Sequence, residues 1–548
     1  MRNHRTVIVF LLGLFLAGFS VEAQELSTGS RRAVRYYEDG NRRFNLHDFA
    51  GAAESLEKAV DIDAGFLEAY MLLGDVYKST GKKEKAVDMY RQVIRVDSVK
   101  YPEVYFFSGL LYFDLQQYQQ AIDAFEQFLS MPADHQERLS EAGYFLACSY
   151  FAKEAMANPV PFSPENLGEG INTINDEYIN SVRSDELVLY FTGRETQDRK
   201  TAGADDFYVS ERTQTDAPWP EARKMGPPVN TPGDEGALTI TPDGRYLLFA
   251  GCHWPDGKGS CDIYASQIGG KKILQPVNLG SPINSSGWES QPTLSSDGRT
   301  LYFASTRNGG HGNSDLWMST LKDDGSWSIP ENLGKVINTK GSEMAPFIHP
   351  DGQTLYFSSD HHIGMGGIDL YVSRKDSTGN WSAPVNLGFP VNTPGDEINI
   401  IVNARGDKAY MSVDRPGGVG GYDIFTFELH EDVRPVPSIY IKGVVSDAET
   451  GLPLEAYFSL SVPETGEEVV RSFSDPVDGN FLVCIPTNRE YALNVSRQGY
   501  LFYSQNILPE GTNTELEPFV VDIRLKPIKE GESMVLRNIF FETDQFAL

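Results

Sequence analysis

Three stretches of this chain are near-copies of one another: TPDGRYLLFAG (241–251), SSDGRTLYFAS (295–305) and HPDGQTLYFSS (349–359). Weaker copies, RSDELVLYFTG (183–193) and NARGDKAYMSV (403–413), extend the series. Phe191, Phe249, Phe303, Phe357 and Met411 therefore recur at spacings of 58, 54, 54 and 54. A period of this length constrains the fold more than any single motif does, because each copy is a unit that buries its apolar face only by stacking on its neighbours. Inside a unit the apolar residues alternate as in strands, and Asp-Gly supplies a tight hairpin turn. A third strand follows each time, as in DFYVS from Asp206 and DIYAS from Asp262. A fourth carries PVNLG from Pro276, PENLG from Pro330 and PVNLG from Pro384, with a degenerate ARKMG from Ala222. Four strands in each of five units predict a five-bladed β-propeller over residues 160–430. The fifth unit has no fourth strand of its own, whereas PENLGEGINT (164–173) stands alone ahead of the first. Residues 162–168 are therefore expected to complete the last blade by pairing with 422–428, which removes the open edges.

Each first strand opens with a glutamate: Glu177, Glu235, Glu289, Glu343 and Glu397. Two readings are open. The five carboxylates form a ring at one mouth of the central channel, fit for a cation or a basic peptide end; or each bonds backbone or a neighbouring blade. A residue present in every blade usually serves the repeat, which favours the second reading. The same reasoning covers the aspartates at 206, 262, 315, 369 and 423, and the basic set Arg194, His253, Arg307, His361 and Arg415. Departures confined to one blade, such as His361-His362 and the loop CHWPDGKGSC (252–261), are the better candidates for specificity.

Residues 33–155 change to a helical period. Gly40, Gly74 and Gly109 are spaced by 34 and 35; Ala52, Ala86 and Ala121 follow twelve residues after each, and Leu56, Tyr90 and Phe125 four further on. This pattern resembles the tetratricopeptide repeat, in which small residues let two helices approach and large ones fill the gap between repeats. Three repeats and a capping helix (139–155) are expected within an all-α solenoid spanning 30–157. Such arrays present a groove that takes a peptide or a partner's helix.

The first 23 residues have a basic start at Arg2 and Arg5, an apolar run from Val7 to Phe19, and small residues at Val21 and Ala23. They predict a signal peptide cleaved after Ala23, with an apolar run too short to span a membrane. In an oxidising compartment Cys252 and Cys261 are expected to pair across their loop, while Cys148 and Cys484 read as buried thiols. A zinc site using His253 is the alternative, though no fourth ligand is evident. The net charge of −29 argues against nucleic acid and anionic lipid as partners.

Residues 437–527 carry Gly443-x-Val445-x-Asp447, Asp478-Gly479-x-Phe481 and Tyr491-x-Leu493-x-Val495 with a later Gly499-Tyr500. They resemble the carboxypeptidase regulatory-like domain, which implies a seven-stranded, transthyretin-like β-sandwich. The 160–430 motifs resemble the PD40, WD40-like repeats of TolB-type propellers. The last stretch, 533–548, with Val535-Leu536-x-Asn538-Ile539-x-Phe541, resembles the opening strand of the α/β OmpA-like, peptidoglycan-binding domain. That family continues well past residue 548, so the chain is expected to stop at the start of this domain, and the residues that grip peptidoglycan are expected to lie beyond it.

Taken together, this order of modules resembles the OmpA-family envelope proteins of Bacteroidota, including PorE-type components of the type IX secretion system. The resemblance implies a multidomain periplasmic adaptor, associated with the outer membrane and the cell wall. Its partners would be outer-membrane or secretion components, and peptidoglycan where the full OmpA-like domain is present. No catalytic residue, metal site, cofactor or transmembrane span is expected. The rival readings are a ligand-sensing propeller, holding a cation, peptide or small solute in its channel, and a glycosidase. DDGSW (323–327) faintly resembles a sialidase Asp-box, but the matching STGNW (377–381) reads as a hairpin turn.

Overall fold

The computed structural model describes residues 26–132, 136–194, 205–241, 244–269, 272–466, 468–487, 489–508 and 519–529. The expected signal peptide, the expected OmpA-like strand at 533–548 and Pro242-Asp243 of one hairpin turn lie outside the described residues. The chain divides into two compact units, residues 1–146 and 147–548.

The first unit is a solenoid of paired α-helices: α1 (Arg31–Asn45), α2 (Phe49–Ile62), α3 (Leu67–Ser79), α4 (Lys83–Val96), α5 (Glu103–Asp114) and α6 (Tyr118–Ser130). A seventh, α7 (Gln136–Ala157), runs across the boundary into the second unit. Ser30 and Asp48 cap α1 and α2, their side chains accepting from the Ala33 and Gly51 amides. The glycine rule of the sequence has a direct steric cause. A Cβ on Gly40, Gly74 or Gly109 would lie 2.6, 2.4 or 2.6 Å from the side chains of Leu56, Tyr90 and Phe125. Those three residues, with Ala52, Ala86 and Ala121, are fully buried.

The second unit contains five successive antiparallel sheets. Sheet 1 is Asp176–Val182, Val188–Arg194, Asp205–Glu211 and Arg223–Lys224. Sheet 2 is Asp234–Ile240, Tyr246–Cys252, Cys261–Gly269 and Val277–Asn278, with Lys272–Ile273 paired beside it. Sheet 3 is Glu289–Leu294, Thr300–Ser305, Asp315–Thr320 and Glu331–Asn332. Sheet 4 is Glu343–Ile348, Thr354–Ser359, Asp369–Arg374 and Val385–Asn386. Sheet 5 takes only Glu397–Val402, Lys408–Val413 and Asp423–Glu428 from its own repeat. Its fourth strand is Glu165–Asn166, from ahead of sheet 1, with Glu165 opposite Thr426 and Asn166 opposite Phe425.

Each sheet is hydrogen-bonded to the next. Ser260 N donates to Gly287 O, Glu343 N to Ser314 O, and Glu397 N to Ile368 O (2.7–3.0 Å). Asp205 N reaches the Asp234 carboxylate, and Glu177 N donates to Tyr422 O at 2.7 Å, which joins sheet 5 to sheet 1.

Seven further strands form two facing sheets. One is Asn480–Pro486, Ser438–Asp447 and Phe519–Leu525; the other is Glu468–Phe473, Tyr457–Ser461, Tyr491–Ser496 and Tyr503–Ile507. Ile441, Phe458, Leu460, Leu493 and Ile523 are fully buried between them. This sandwich and the segment leading into it touch the turn between first and second strands in sheets 1, 2, 4 and 5, and in sheet 3 the loop between third and fourth strands. Cys484 Sγ donates to Ser184 Oγ (2.8 Å), and Arg245 pairs with Glu455 (3.0 Å). Asp323 bridges Arg299 and Arg471. Val436 N donates to Asp351 Oδ2 (3.0 Å) and Ser438 N to Ala404 O (2.8 Å).

Candidate functional site

The five repeated glutamates are buried, at 0–2% exposure. Each clasps the hydroxyl residue four positions earlier. Glu289 accepts from Ser285 N (2.8 Å) and Ser285 Oγ (2.6 Å), and Glu343 from Thr339 N (2.8 Å) and Thr339 Oγ1 (2.6 Å). Glu397 does the same with Thr393, Glu177 with Thr173 and Glu235 with Thr231. Against the opposing pull of the hydrogen bonds, burial raises the carboxyls of Glu177 and Glu343 to about 7 and that of Glu397 to about 8, and it also raises that of Glu235. Side chains this buried and this engaged close their own loops and do not present an open ring of charge.

The repeated aspartates hold the loop between second and third strands. Asp315 accepts from His311 N, Gly312 N and Asn332 Nδ2 (2.6–2.9 Å), and Asp262 from Lys258 N, Gly259 N and Asn278 Nδ2 (2.6–2.9 Å). Sheet 1 has no asparagine at that point, and Lys224 supplies an ion pair to Asp206 at 2.5 Å instead, which accounts for the degenerate ARKMG. In the basic set, Arg194 pairs with Asp205, and Arg307 and Arg415 reach the carbonyls of Ile283 and Val391. In sheet 4 the equivalent reach, to Ile337 O at 2.7 Å, is made by His362 and not by His361.

Two recurring features, the first in all five repeats and the second in the four whose loops are described, were not singled out from the sequence. The first is a buried asparagine, at 172, 230, 284, 338 and 392, whose amide pairs with both backbone groups of one third-strand residue. Asn284 accepts from Ile263 N (2.8 Å) and donates to Ile263 O (2.9 Å), and Asn392 does so with Leu370 (2.8 Å each). Asn172 makes the same pair with Ile424, across from the start of the repeats to their end. The signal was an Ile/Val-Asn-Thr/Ser triplet at spacings of 58, 54, 54 and 54. The second is a glycine in the loop between second and third strands that presses on the next sheet. A Cβ on Gly259, Gly312, Gly367 or Gly420 would lie 1.8–2.2 Å from the carbonyls of Gly287, Gly341, Gly395 and Asn175.

Cys252 and Cys261 are directly opposite in sheet 2 and form a disulfide, while Cys148 and Cys484 are buried thiols outside any disulfide. Among the described residues no cluster of three or more metal-type ligands occurs around His253 or elsewhere, and no helix is long and apolar enough to cross a membrane.

In the helical unit the first helices of successive pairs are tied side by side. Lys78 Nζ lies 4.6 Å over the Phe107 ring, with Arg138 5.6 Å from the same ring. Glu68 on α3 accepts from Ser27 Oγ (2.6 Å) and Tyr101 OH (2.5 Å); burial opposes its ionisation, but these hydrogen bonds win and hold it at about 2.

The family model of the tetratricopeptide repeat matches residues 67–99 and 102–135. Among solved structures, the chain is similar to a MamA protein (24% identity, 22% of this chain and 62% of that one, TM-score 0.20). It is also similar to the Sgt2 TPR domain from Aspergillus fumigatus (20% identity, 24% of this chain and 86% of that one, TM-score 0.21) and to the second TPR domain of human RPAP3 in complex with an HSP70 peptide (19% identity, 21% and 94%, TM-score 0.20). The chain thus spans less than two thirds of the MamA protein it matches. A search of curated proteins found no match.

Proposed function

We propose that this chain, whose tetratricopeptide repeats suggest a scaffold for protein–protein interaction, is a non-enzymatic adaptor of the bacterial envelope, exported by its N-terminal segment, of the kind formed by OmpA-family proteins with PD40 repeats. In this reading the five sheets close as a five-bladed propeller, with Glu165–Asn166 as the outer strand of the last blade. The carboxypeptidase regulatory-like sandwich covers the end of the propeller that carries the first hairpin turns. An OmpA-like domain, opened by residues 533–548, would attach the assembly to peptidoglycan, and the helical groove would hold an outer-membrane or type IX secretion component.

The observation that carries the reading is the presence, in one chain, of a helical repeat array and a sheet unit whose repeated carboxylates are engaged by their own backbone. Repeated groups used this way hold a frame together and leave binding to the array and to positions that differ between repeats.

Cross-linking of intact envelopes followed by mass spectrometry tests the proposal. Cross-links from α1, α3 or α5 to an outer-membrane or secretion-system protein are expected. Recovery of the protein in the cytosolic fraction, or cross-links confined to the chain itself, would overturn it.

A further inference from the structure

Sheet 2 departs from its siblings at one place. Where sheets 3 to 5 have glycine-rich loops, it has CHWPDGKGSC, and beside this loop lies an open cleft of about 900 Å³. Three prolines (232, 255 and 276) and Trp254 give the cleft apolar walls, and the carboxylates of Asp234 and Asp256 stand among them. The walls are fixed. The Cys252–Cys261 disulfide closes the base of the loop. Trp254 Nε1 donates to Glu235 (3.0 Å), its ring packs 4.4 Å from that of Tyr264, and Tyr264 OH donates to Asp256 Oδ1 (2.9 Å).

We propose that this cleft is a docking site for an arginine- or lysine-bearing segment of a partner protein. Charge complementarity selects the occupant. Among the described lining residues there are two carboxylates and no lysine or arginine, and the ammonium of Lys258, on the same loop, is directed to Ser281 Oγ at 2.7 Å. The two carboxylates disfavour an anionic ligand there. A guanidinium can pair with Asp234 or Asp256, lie over the Trp254 ring, and cover the prolines with its aliphatic stem. The net charge of −29 draws such a partner toward the protein over longer range. A fixed cleft also spares the bound complex the cost of ordering its walls. The inference is independent of the helical groove, so failure of the cross-linking experiment above leaves it standing.

The test uses the full oxidised chain and fluorescence anisotropy of a labelled octapeptide of alternating arginine and glycine. A glutamate–glycine octapeptide and an N-acetylglucosamine oligomer serve as competitors. Binding of the arginine peptide that weakens with added salt is expected, and D234N/D256N should weaken it about tenfold. The charge-matched control D61N/D216N, at exposed sites elsewhere, should change it less than twofold. Equal losses in both double variants, no binding of the arginine peptide, or displacement of it by the glutamate peptide or the sugar would overturn the proposal.

Discussion

Replacing Asn338 with alanine removes one of the five buried amide staples and leaves its neighbours in place. Asn338 is 2% exposed; it accepts from Leu316 N at 2.8 Å, donates to Leu316 O at 3.0 Å and donates to Asn332 Oδ1 at 2.9 Å. Leu316 is fully buried, so its N–H would lose its partner out of reach of bulk water, while its C=O keeps the Leu333 amide at 3.1 Å. A buried polar group left unsatisfied costs about 1–3 kcal/mol, and that is the loss predicted. That is a large share of the 5–15 kcal/mol typical of a domain. A chain of several domains does not unfold in one step, so a local measurement is needed. Hydrogen exchange of the strand Asp315–Thr320 provides it, and a loss of about 2 kcal/mol speeds exchange there roughly 30-fold. Asn338→Asp should be as damaging, because it keeps the acceptor for Leu316 N but turns a second acceptor on Leu316 O. Asn308→Ala, at an exposed loop position, should stay within about 0.5 kcal/mol. A change below about 1 kcal/mol for N338A would refute the reasoning.

Other expectations follow from the same contacts. Gly109→Ala places a Cβ 2.6 Å from the Phe125 ring and should cost about 1–3 kcal/mol in urea unfolding of the helical unit, while Gly143→Ala, with open space around it, should cost nothing measurable. Gly312→Ala, whose Cβ would lie 2.2 Å from Gly341 O, should loosen the contact between sheets 3 and 4, read as faster exchange in Glu343–Ile348. The folded-state values of Glu177, Glu343 and Glu397, about 7, 7 and 8, lie above the ordinary 4.5, so the folded chain holds protons that the unfolded chain has released. Stability from these groups is therefore full below about pH 4.5 and is lost as pH rises towards 8. The urea midpoint of the sheet unit should fall between pH 5 and 8, with a shallower fall in Glu397→Gln, whose amide imitates the protonated acid.

Much of this architecture is legible in the primary structure because it repeats. The glycine–alanine spacing in α1 to α6 has one steric cause, close helix approach, and period alone exposes it. The Asp-Gly turns and alternating strands around Phe249, Phe303 and Phe357 are of the same kind. The role of the repeated glutamates was harder to read, since a carboxylate that faces a channel and one that clasps Thr339 have the same sequence. Burial alone separates them. The asparagine staples were present as triplets, yet an Asn-Thr or Asn-Ser pair between strands reads as a turn, and its partner lies on another strand 21–23 residues away, or 252 away for Asn172. The seating of the sandwich on loops of the five sheets was not readable, because Arg471 meets Asp323 and Cys484 meets Ser184 at positions that share no repeat.

The proposed closure of the five sheets rests on the pairing of Glu165–Asn166 with Asp423–Glu428, and cysteine trapping measures it directly. Glu165→Cys with Thr426→Cys places two thiols on directly opposed residues, whereas Glu165→Cys with Glu428→Cys is two residues out of register. Near-complete disulfide formation in the first pair under mild oxidation, and little in the second, is the result predicted. Equal trapping in both pairs, or trapping in neither, would contradict a sheet unit closed by its own beginning.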